Sequence, residues 1–254
     1  MDLVIMTALG VGGATMIGAL IGFLVKQPSH RASDCILSFA SGIMLCAATV
    51  GLIIPSLPGK NAGFWDIAIP VIGMMVGAAV LSLIDKIIPH EHQLSATDGS
   101  RQNEHSAQAN KVLLFVLAIA IHNLPEGIAA GVSFGTGNDA RALSVAAGIA
   151  LQNIPEGMVI IAPMLAAGIS KKRTLGIALT TGLVEVVGTL LGYLGVQIAE
   201  AVLPFALAFA GGTMLYVISD EMIPETHSHG NETAATYSLI AGFIIMLLFN
   251  HFIG

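Results

Sequence analysis

Long apolar stretches separated by short polar connections recur along the whole chain of 254 residues. Each stretch has about 20 residues, the length that an α-helix needs to cross the hydrocarbon core of a bilayer. The stretches lack the strict polar–apolar alternation of transmembrane β-strands. They predict about eight transmembrane helices, at residues 3–25, 33–54, 66–88, 112–134, 140–167, 174–197, 201–220 and 234–252.

The composition agrees with a lipid rather than an aqueous environment. Hydrophobic residues make up 55% of the chain, charged residues only 10%, and the mean hydropathy is +0.83. A soluble domain carries about 25% charged residues, so this chain has too few to cover a water-exposed surface. No basic patch with interleaved aromatic residues suggests a nucleic acid as a partner. We therefore expect an all-α integral membrane protein surrounded by the lipid bilayer.

The Lys and Arg residues predict the orientation, because cytoplasmic loops carry an excess of them. Of the ten in the chain, only Lys60 and Arg141 lie in the loops after predicted helices 2, 4 and 6. The other eight lie in or beside the loops after predicted helices 1, 3 and 5. Both termini are therefore expected to face outward.

One connection is longer and more polar than the others. Residues 89–110, between predicted helices 3 and 4, include His90 and His92 and have a composition typical of flexible segments. The rest of the chain is expected to form one bundle. We therefore predict a single transmembrane domain over residues 1–254, with a histidine-bearing cytoplasmic loop.

A short internal repeat lies in predicted helices 4 and 5. Residues 121–130 (IHNLPEGIAA) resemble residues 151–160 (LQNIPEGMVI). The two helices cross the membrane in opposite directions, so the copies are inverted relative to each other. Inverted repeats often surround substrate sites near the membrane midplane of transporters.

The repeat places ionisable and amide side chains near the middle of the predicted helices. An unpaired charge at the midplane costs at least ~2.5–3.5 kcal/mol, and no Lys or Arg lies at that depth to neutralise the acids. A bound cation is the simplest partner, and imidazole with carboxylate ligands suits zinc, iron, manganese or cobalt. The candidate metal ligands are His122, Asn123 and Glu126 in helix 4, Gln152, Asn153 and Glu156 in helix 5, and Glu185 in helix 6.

The repeated motif also allows a purely structural interpretation. Pro125 and Pro155 each remove a backbone donor, and nearby amide side chains can satisfy the carbonyl groups that are freed. Gly127 and Gly157 allow close contact between helices. This interpretation accounts for Asn and Gln, but it leaves three carboxylates and a histidine unexplained.

A second set of acids and histidines lies at the predicted cytoplasmic ends of helices 3 and 7. Solvated helix ends are the simplest explanation for any one of these residues. Because both clusters share the side below the midplane residues, we expect them to form an exit route for the metal. The residues are Asp85, His90, His92, Glu221, Glu225, His227 and His229.

These motifs resemble those of the ZIP metal transporters, and within that family the bacterial GufA-like branch. The resemblance rests on HNLPEG in predicted helix 4, QNIPEG in helix 5, Glu185, and DEMIPETH closing helix 7. It implies eight helices with both termini outside, in the inner membrane of a bacterium. It also implies a homodimer that carries zinc, iron, manganese or cadmium as its substrate towards the cytoplasm.

The resemblance further implies roles for single residues. One metal ion would be bound by His122, Glu126, Gln152 and Glu156. A second ion beside it would use Asn123, Asn153 and Glu185, with Glu126 and Glu156 bridging the two. The chain departs from the family at Asn153, where many relatives have an acid, and at Gly51, where relatives often have a polar or acidic residue near the entrance.

Two other functions are compatible with buried carboxylates. An intramembrane metal-dependent hydrolase would need a histidine-rich site such as HExxH, whereas the predicted midplane holds one histidine. A proton-coupled carrier of an organic solute could use the carboxylates as proton relays, but no intramembrane Lys or Arg is present to receive an anionic substrate. We therefore expect a transporter of divalent metal ions, with zinc first, rather than an enzyme.

Overall fold

A computed structural model describes residues 1–25, 29–60, 62–87, 120–166, 168–198 and 200–253. These residues are almost entirely helical and include no β-strand. We label the long helices α1 to α8 in chain order. Their bounds are α1 Asp2–Leu24, α2 His30–Ser56, α3 Phe64–Ile87, α4 120–133, α5 Asp139–Ala166, α6 Lys171–Ile198, α7 Leu203–Thr226 and α8 Glu232–Ile253.

Seven helices in the described ranges are long and apolar enough to cross a membrane, which confirms the expected all-α membrane protein. The exception is α4, because the predicted span 112–134 is described only from residue 120. The count of eight spans and the outward orientation of both termini stay predictions. The predicted loop 89–110, with His90 and His92, lies outside the described residues, as does the side chain of Asp85.

Helices α2 and α7 each contain a π-helical segment near one end. The segments are Ala47–Ile53 in α2 and Ile218–Met222 in α7, and each is followed by a short α-helical turn with a proline. Because proline cannot donate to the carbonyl four residues earlier and its ring crowds that carbonyl, a wider turn relieves the conflict. As a result α7 continues to Thr226 rather than ending near residue 220, and Glu221 and Glu225 belong to the helix.

Glycine contacts join α1, α4, α5 and α6 to one another and pair α2 with α8 and α3 with α7; a Cβ at Gly211 on α7 would lie 2.5 Å from Ile53 Cγ1 on α2, which links the two pairs, so we describe two groups of four. The first group is α1, α4, α5 and α6, and the second is α2, α3, α7 and α8. Within each group a glycine lets two backbones touch: a Cβ at Gly157 would overlap the Thr15 carbonyl on α1, and one at Gly42 would overlap the Leu239 carbonyl on α8. Close backbone packing is a main source of helix association in lipid. Backbone contacts therefore join the whole first group, and in the second group they join α2 to α8 and α3 to α7.

Contacts between the two groups are made by side chains. Among the described glycines, those that face the other group meet side-chain atoms rather than backbone: a Cβ at Gly51 on α2 would lie 2.6 Å from Val145 Cγ2 on α5. The largest apolar core among the described residues includes Leu52 on α2, Ile149 on α5 and Met214 on α7, so it spans this boundary.

Candidate metal centre

Most of the predicted metal ligands are fully buried on the first helix group. Asn123 and Glu126 on α4, Gln152 and Asn153 on α5, and Glu185 on α6 are each at most 1% exposed. His122 and Glu156 are partly buried. All seven lie on three helices of one group, where the inverted repeat turns its polar faces towards each other.

The two copies of the repeat meet through a hydrogen bond. Gln152 donates from Nε2 to Glu126 Oε1 at 2.8 Å, which joins α5 to α4. Glu156 lies within electrostatic reach of Glu126 and of His122. The glycine after Glu126 matters for this geometry, because a Cβ at Gly127 would overlap the Glu185 backbone carbonyl on α6. The motif thus combines a carboxylate with the close helix contact that brings the acids together.

Glu185 accepts hydrogen bonds from two side chains on two other helices. Asn153 donates from Nδ2 to Glu185 Oε2 at 2.7 Å, and Thr15 on α1 donates from Oγ1 to Glu185 Oε1 at 2.9 Å. The same Asn153 nitrogen lies 3.3 Å from the Val11 carbonyl oxygen. Sequence reasoning missed the contribution of α1. The signal for it in the sequence was weak: Thr15 is one of two threonines in an apolar, glycine-rich helix.

Four buried oxygen atoms of this cluster have no hydrogen-bond donor among the described residues. The amide nitrogens are already used, since Asn123 donates to the Thr181 carbonyl oxygen at 3.4 Å and the other two amides donate to Glu126 and Glu185. The amides are therefore oriented with their oxygens free. An unsatisfied buried acceptor costs about 1–3 kcal/mol, so a cation is the partner that would best satisfy all of them together. The four atoms are Glu126 Oε2, Gln152 Oε1, Asn123 Oδ1 and Asn153 Oδ1.

His122 is paired with an acid on the second helix group. Its Nε2 lies 2.8 Å from Oε1 of Glu221, in the π-segment of α7. The sequence placed Glu221 on the exit route and His122 on the metal, and the structure brings these two residues into contact. Within the described ranges no three His, Cys, Asp or Glu side chains are arranged to hold a metal by themselves. With His122 bound to Glu221, the buried cluster consists of carboxylates and amides.

The exposed fraction rises from the cluster towards the end of α7. Glu126 is 1% exposed, whereas the side chain of His122 is 11% and that of Glu221 is 28% exposed. Glu225 and His229 lie further along and are exposed. Among these residues, exposure to solvent therefore increases along α7 away from the cluster.

The histidines after α7 differ in what they contact. Both ring nitrogens of His227 are engaged, Nδ1 with the Ile223 carbonyl oxygen at 2.9 Å and Nε2 with Thr236 Oγ1 at 3.0 Å. His227 therefore ties the end of α7 to α8 and has no free nitrogen for a metal in this arrangement. His229 contacts Asp34 on α2 through Nδ1 at 3.0 Å.

The sequence resembles those of known metal transporters over most of its length. A family model described as ZIP zinc transporter matches residues 86–250. Zinc transporter GufA of Myxococcus xanthus is 39% identical over 254 residues, which cover 98% of this chain and 98% of that protein. Zinc transporter ZIPB of Bordetella bronchiseptica is 39% identical over 246 residues, covering 95% of this chain and 78% of that protein. Zinc transporter ZupT of Chlorobaculum parvum is 32% identical over 250 residues, covering 92% and 91%.

Proposed function

This chain belongs to the ZIP zinc transporter family, and from that premise we propose that it carries zinc towards the cytoplasm through the buried cluster on α4, α5 and α6. Metal ion transport and an integral membrane location follow from the family and the apolar helices. The relatives are named as transporters, so the expectation that the chain is not an enzyme is confirmed. Iron, manganese and cadmium are further proposed substrates. The proposed setting is a bacterial inner membrane, and the proposed assembly is a homodimer.

One observation carries the proposal: the four unpartnered oxygens that lie buried in the same cluster as Glu126 and Glu185. They are acceptors without donors, they belong to four different side chains, and no Lys or Arg of the described residues pairs with the acids. A divalent cation would satisfy the oxygens and offset the carboxylates at once. We assign the primary ion to the side of the cluster formed by Glu126, Gln152 and Glu156.

A second ion would use Asn123, Asn153 and Glu185 and share Glu126 and Glu156. Both oxygens of Glu185 already accept hydrogen bonds, from Thr15 and Asn153. A second ion would have to share these oxygens with the two donors, whereas Glu126 Oε2 and Gln152 Oε1 have no donor among the described residues. The site is therefore proposed to hold one ion firmly and a second ion more weakly.

His122 is proposed to change partners during transport. In the structure its Nε2 lies 2.8 Å from Glu221 Oε1, and it would turn to the ion when the cluster is loaded. Loading frees Glu221, which can then receive the departing ion, and the exposed Glu225 lies next along the route; His122 returns to Glu221 after the ion has left. This exchange keeps a charged or polar partner on each group at every step, which avoids leaving an unpaired charge in a low-dielectric site.

The helix groups suggest how the ion crosses. All seven candidate ligands lie on the first group, and Glu221 lies on the second. At the described glycines, backbone contacts join helices of the same group, whereas Gly51 and Gly148 meet side chains of the other group. We therefore propose that the first group moves relative to the second and carries the ion with it, so that the cluster is exposed on alternate sides of the apolar core.

Uptake of zinc-65 into proteoliposomes tests this function. Wild type should accumulate the isotope down an imposed zinc gradient, whereas Glu126→Gln and Glu156→Gln should each lower the initial rate by about 100-fold, because each removes a charge and a strong ligand from the cation site. Glu232→Gln, at an exposed acid in the first turn of α8, is the matched control and should retain the wild-type rate.

Expression and monodispersity of all four chains are compared before the assay, so that a folding defect is recognised. Normal uptake by either midplane variant would contradict the site assignment. A wild-type chain that takes up no zinc, iron, manganese or cadmium would contradict the proposed function. That result would favour the intramembrane hydrolase or the carrier of an organic solute.

A further inference from the structure

A buried carboxylate lies apart from the midplane cluster, at the start of α2. The side chain of Asp34 is 4% exposed, and both of its oxygens are engaged by the connection between α7 and α8. His229 Nδ1 lies 3.0 Å from Oδ1, and Asn231 donates from Nδ2 to Oδ2 at 2.9 Å. Nearly two hundred residues of sequence separate these partners. The transport steps described above use neither Asp34 nor Asn231.

The Asp34 contact sets the orientation and tautomer of the His229 ring. An ionised carboxylate only accepts hydrogen bonds, so a neutral His229 must carry its proton on Nδ1 and keep the lone pair on Nε2. The ring is 31% exposed, and the contact of Nε2 with Ser228 Oγ is long, at 3.4 Å. Histidines that bind metals are commonly held by a carboxylate on the other ring nitrogen in this way, which also raises their basicity.

A second imidazole lies beside the first. The ring of His30 stacks on that of His229 with centroids 4.8 Å apart and an angle of 29° between the planes. No hydrogen bond to the His30 ring is found in the described part of the chain, so both of its nitrogens are available. His30 begins α2, where the helix dipole disfavours a cation, and the negative charge of Asp34 one turn later offsets that effect.

We propose that His30 and His229 form a second cation site, at the protein surface near the end of α7, with Asp34 as its positioning residue. Two imidazoles favour zinc or a similar divalent transition metal, and water would complete the coordination. The choice of zinc rests on the proposed function, whereas the two-histidine geometry does not.

The site formed by His30 and His229 lies beside the proposed exit route, and this position indicates its role. The proposed exit route runs from Glu221 to Glu225 along α7, and His229 follows in the same connection. Two histidine ligands with open positions bind zinc less tightly than a closed four-ligand site. The site therefore accepts ions that leave the transport path and releases them readily.

The alternative is that Asp34 and His229 serve only as a clasp between α2 and the connection after α7. The two possibilities are separated by metal binding in a chain whose midplane is disabled by Glu126→Gln and Glu156→Gln. The purified full-length chain in detergent is titrated with zinc by calorimetry. One residual site is expected, and His30→Ala and His229→Ala should each weaken it by about 10-fold or more.

Asp34→Asn should lower the zinc affinity of the residual site by about 10-fold. The neutral amide holds the imidazole ring less firmly than the carboxylate does, and the substitution removes the negative charge beside the site. The control is His251→Ala, at an exposed histidine in the last turn of α8, which should leave the titration unchanged. The proposal would be overturned if no residual site is found, or if the His30→Ala or His229→Ala chain binds zinc at that site as tightly as the chain that keeps both histidines.

A second measurement covers the case in which His229→Ala unfolds the connection. Cysteines replace both histidines in a chain that lacks Cys35 and Cys46, and cadmium is added. Rings whose centroids lie 4.8 Å apart place the two thiolates within reach of one ion, so a cadmium–thiolate absorption band with one cadmium per chain is expected. A chain that needs two cadmium ions for the same band would contradict a shared site.

The outcomes for this site and for the proposed function can be told apart. If the chain with the disabled midplane binds no zinc at His30 and His229, while the chain with an intact midplane still takes up zinc, only the second site is wrong. If zinc binds to His30 and His229 while a chain with an intact midplane transports no metal, the proposed function is wrong and the surface site stands.

Discussion

At the scale of single residues, the orientation of the amides carries most of the information about the site. Asn153 uses one amide nitrogen to hold both Glu185 and the Val11 carbonyl, and this leaves its oxygen facing no donor. The N–H group thus occupies a place beside Glu185 that a cation would otherwise fill. The residue that distinguishes this chain from many relatives acts as a neutral substitute for part of a second metal ion.

Asn153→Asp should therefore tighten the binding of a second zinc ion. Three carboxylates leave the cluster with a net charge of −1 with one divalent ion and +1 with two, and a fourth carboxylate makes the two-ion state neutral. The substitution also removes the hydrogen bond to Glu185 and sets two carboxylates 2.7 Å apart, which demands a cation or a proton between them.

Zinc titration by calorimetry in detergent measures the effect. Wild type is expected to bind a first zinc ion tightly and a second one clearly more weakly. Asn153→Asp should lower the ratio of the second dissociation constant to the first by about 10-fold or more. Two equally tight ions in wild type, or an unchanged second affinity in the variant, would show that the charge argument is wrong.

The contact between His122 and Glu221 leads to a separate prediction. Zinc must take His122 away from Glu221, whose Oε1 lies 2.8 Å from Nε2 without hydrogen-bond geometry, and removing the charge from such a partly exposed pair removes at most about 1 kcal/mol of attraction. Glu221→Gln should therefore raise the zinc affinity of the midplane site by up to about 5-fold while slowing uptake, because release loses its receiving ligand. Weaker zinc binding in Glu221→Gln would mean that Glu221 belongs to the resting metal site instead.

At the scale of helices, the motif that places an acid also places the glycine that lets its helix approach a neighbour. Gly127 lets α4 touch the backbone of α6 at Glu185, and Gly157 lets α5 touch α1 at Thr15. The pattern in the sequence predicted the polar faces of α4 and α5 and the close packing at both glycines. It did not predict the π-segments of α2 and α7, because one extra residue in a turn leaves an apolar helix equally apolar.

Gly127→Ala tests whether that close approach is required. The added methyl group has no space against the Glu185 carbonyl, so α4 and α6 must separate, at a cost of about 1–3 kcal/mol. The expected result is a lower thermal stability and a large loss of zinc uptake. Gly176→Ala on α6 is the matched control, because nothing lies within 4 Å of the added Cβ; its uptake should equal that of wild type, and its stability should not fall, since alanine favours a helix over glycine by about 0.5–1 kcal/mol.

If Gly127→Ala keeps the stability and the uptake of wild type, the close contact between α4 and α6 does not position the site. If it loses stability but keeps uptake at a temperature where it is folded, the glycine serves packing alone.

At the scale of the molecule, the division into two helix groups was not readable from the sequence. Apolar helices present similar side chains to lipid and to neighbouring helices. The sequence pattern therefore locates the membrane-spanning segments, but it does not show which of them pack against each other. The candidate ligands could be identified because charged groups in a membrane are conspicuous. The role of α1 was missed because Thr15 is neutral and donates to an acid that comes from another helix.

A disulfide between the groups tests whether they move against each other. The Cβ of a residue at position 51 would lie 3.8 Å from Val145 Cβ, close to the mean separation in disulfides, which is about 3.8 Å. Gly51→Cys with Val145→Cys, in a chain lacking Cys35 and Cys46, should stop zinc uptake when oxidised. Uptake should return on reduction.

The comparison disulfide joins residue 135, in the short connection after α4, to Val196 on α6 of the first group. A Cβ at residue 135 would lie 3.1 Å from Val196 Cβ, so Gly135→Cys with Val196→Cys needs only a small adjustment, which must also clear Leu203 Cδ1 of α7 at 2.7 Å. The form with this disulfide should transport zinc at the same rate as the form with free thiols. If the disulfide between residues 51 and 145 also leaves uptake unchanged, the ion crosses without movement at that boundary.

The central claim is that the transported metal occupies the buried cluster of α4, α5 and α6, and diffraction at the zinc absorption edge tests it most directly. Crystals of the full chain grown with zinc should give an anomalous peak within about 2.0–2.2 Å of the free oxygens Glu126 Oε2 and Gln152 Oε1. The peak should be absent from Glu126→Gln crystals under the same conditions. A zinc-saturated, transport-competent chain with no peak in this cluster, or a peak only at the surface near His229, would contradict the account.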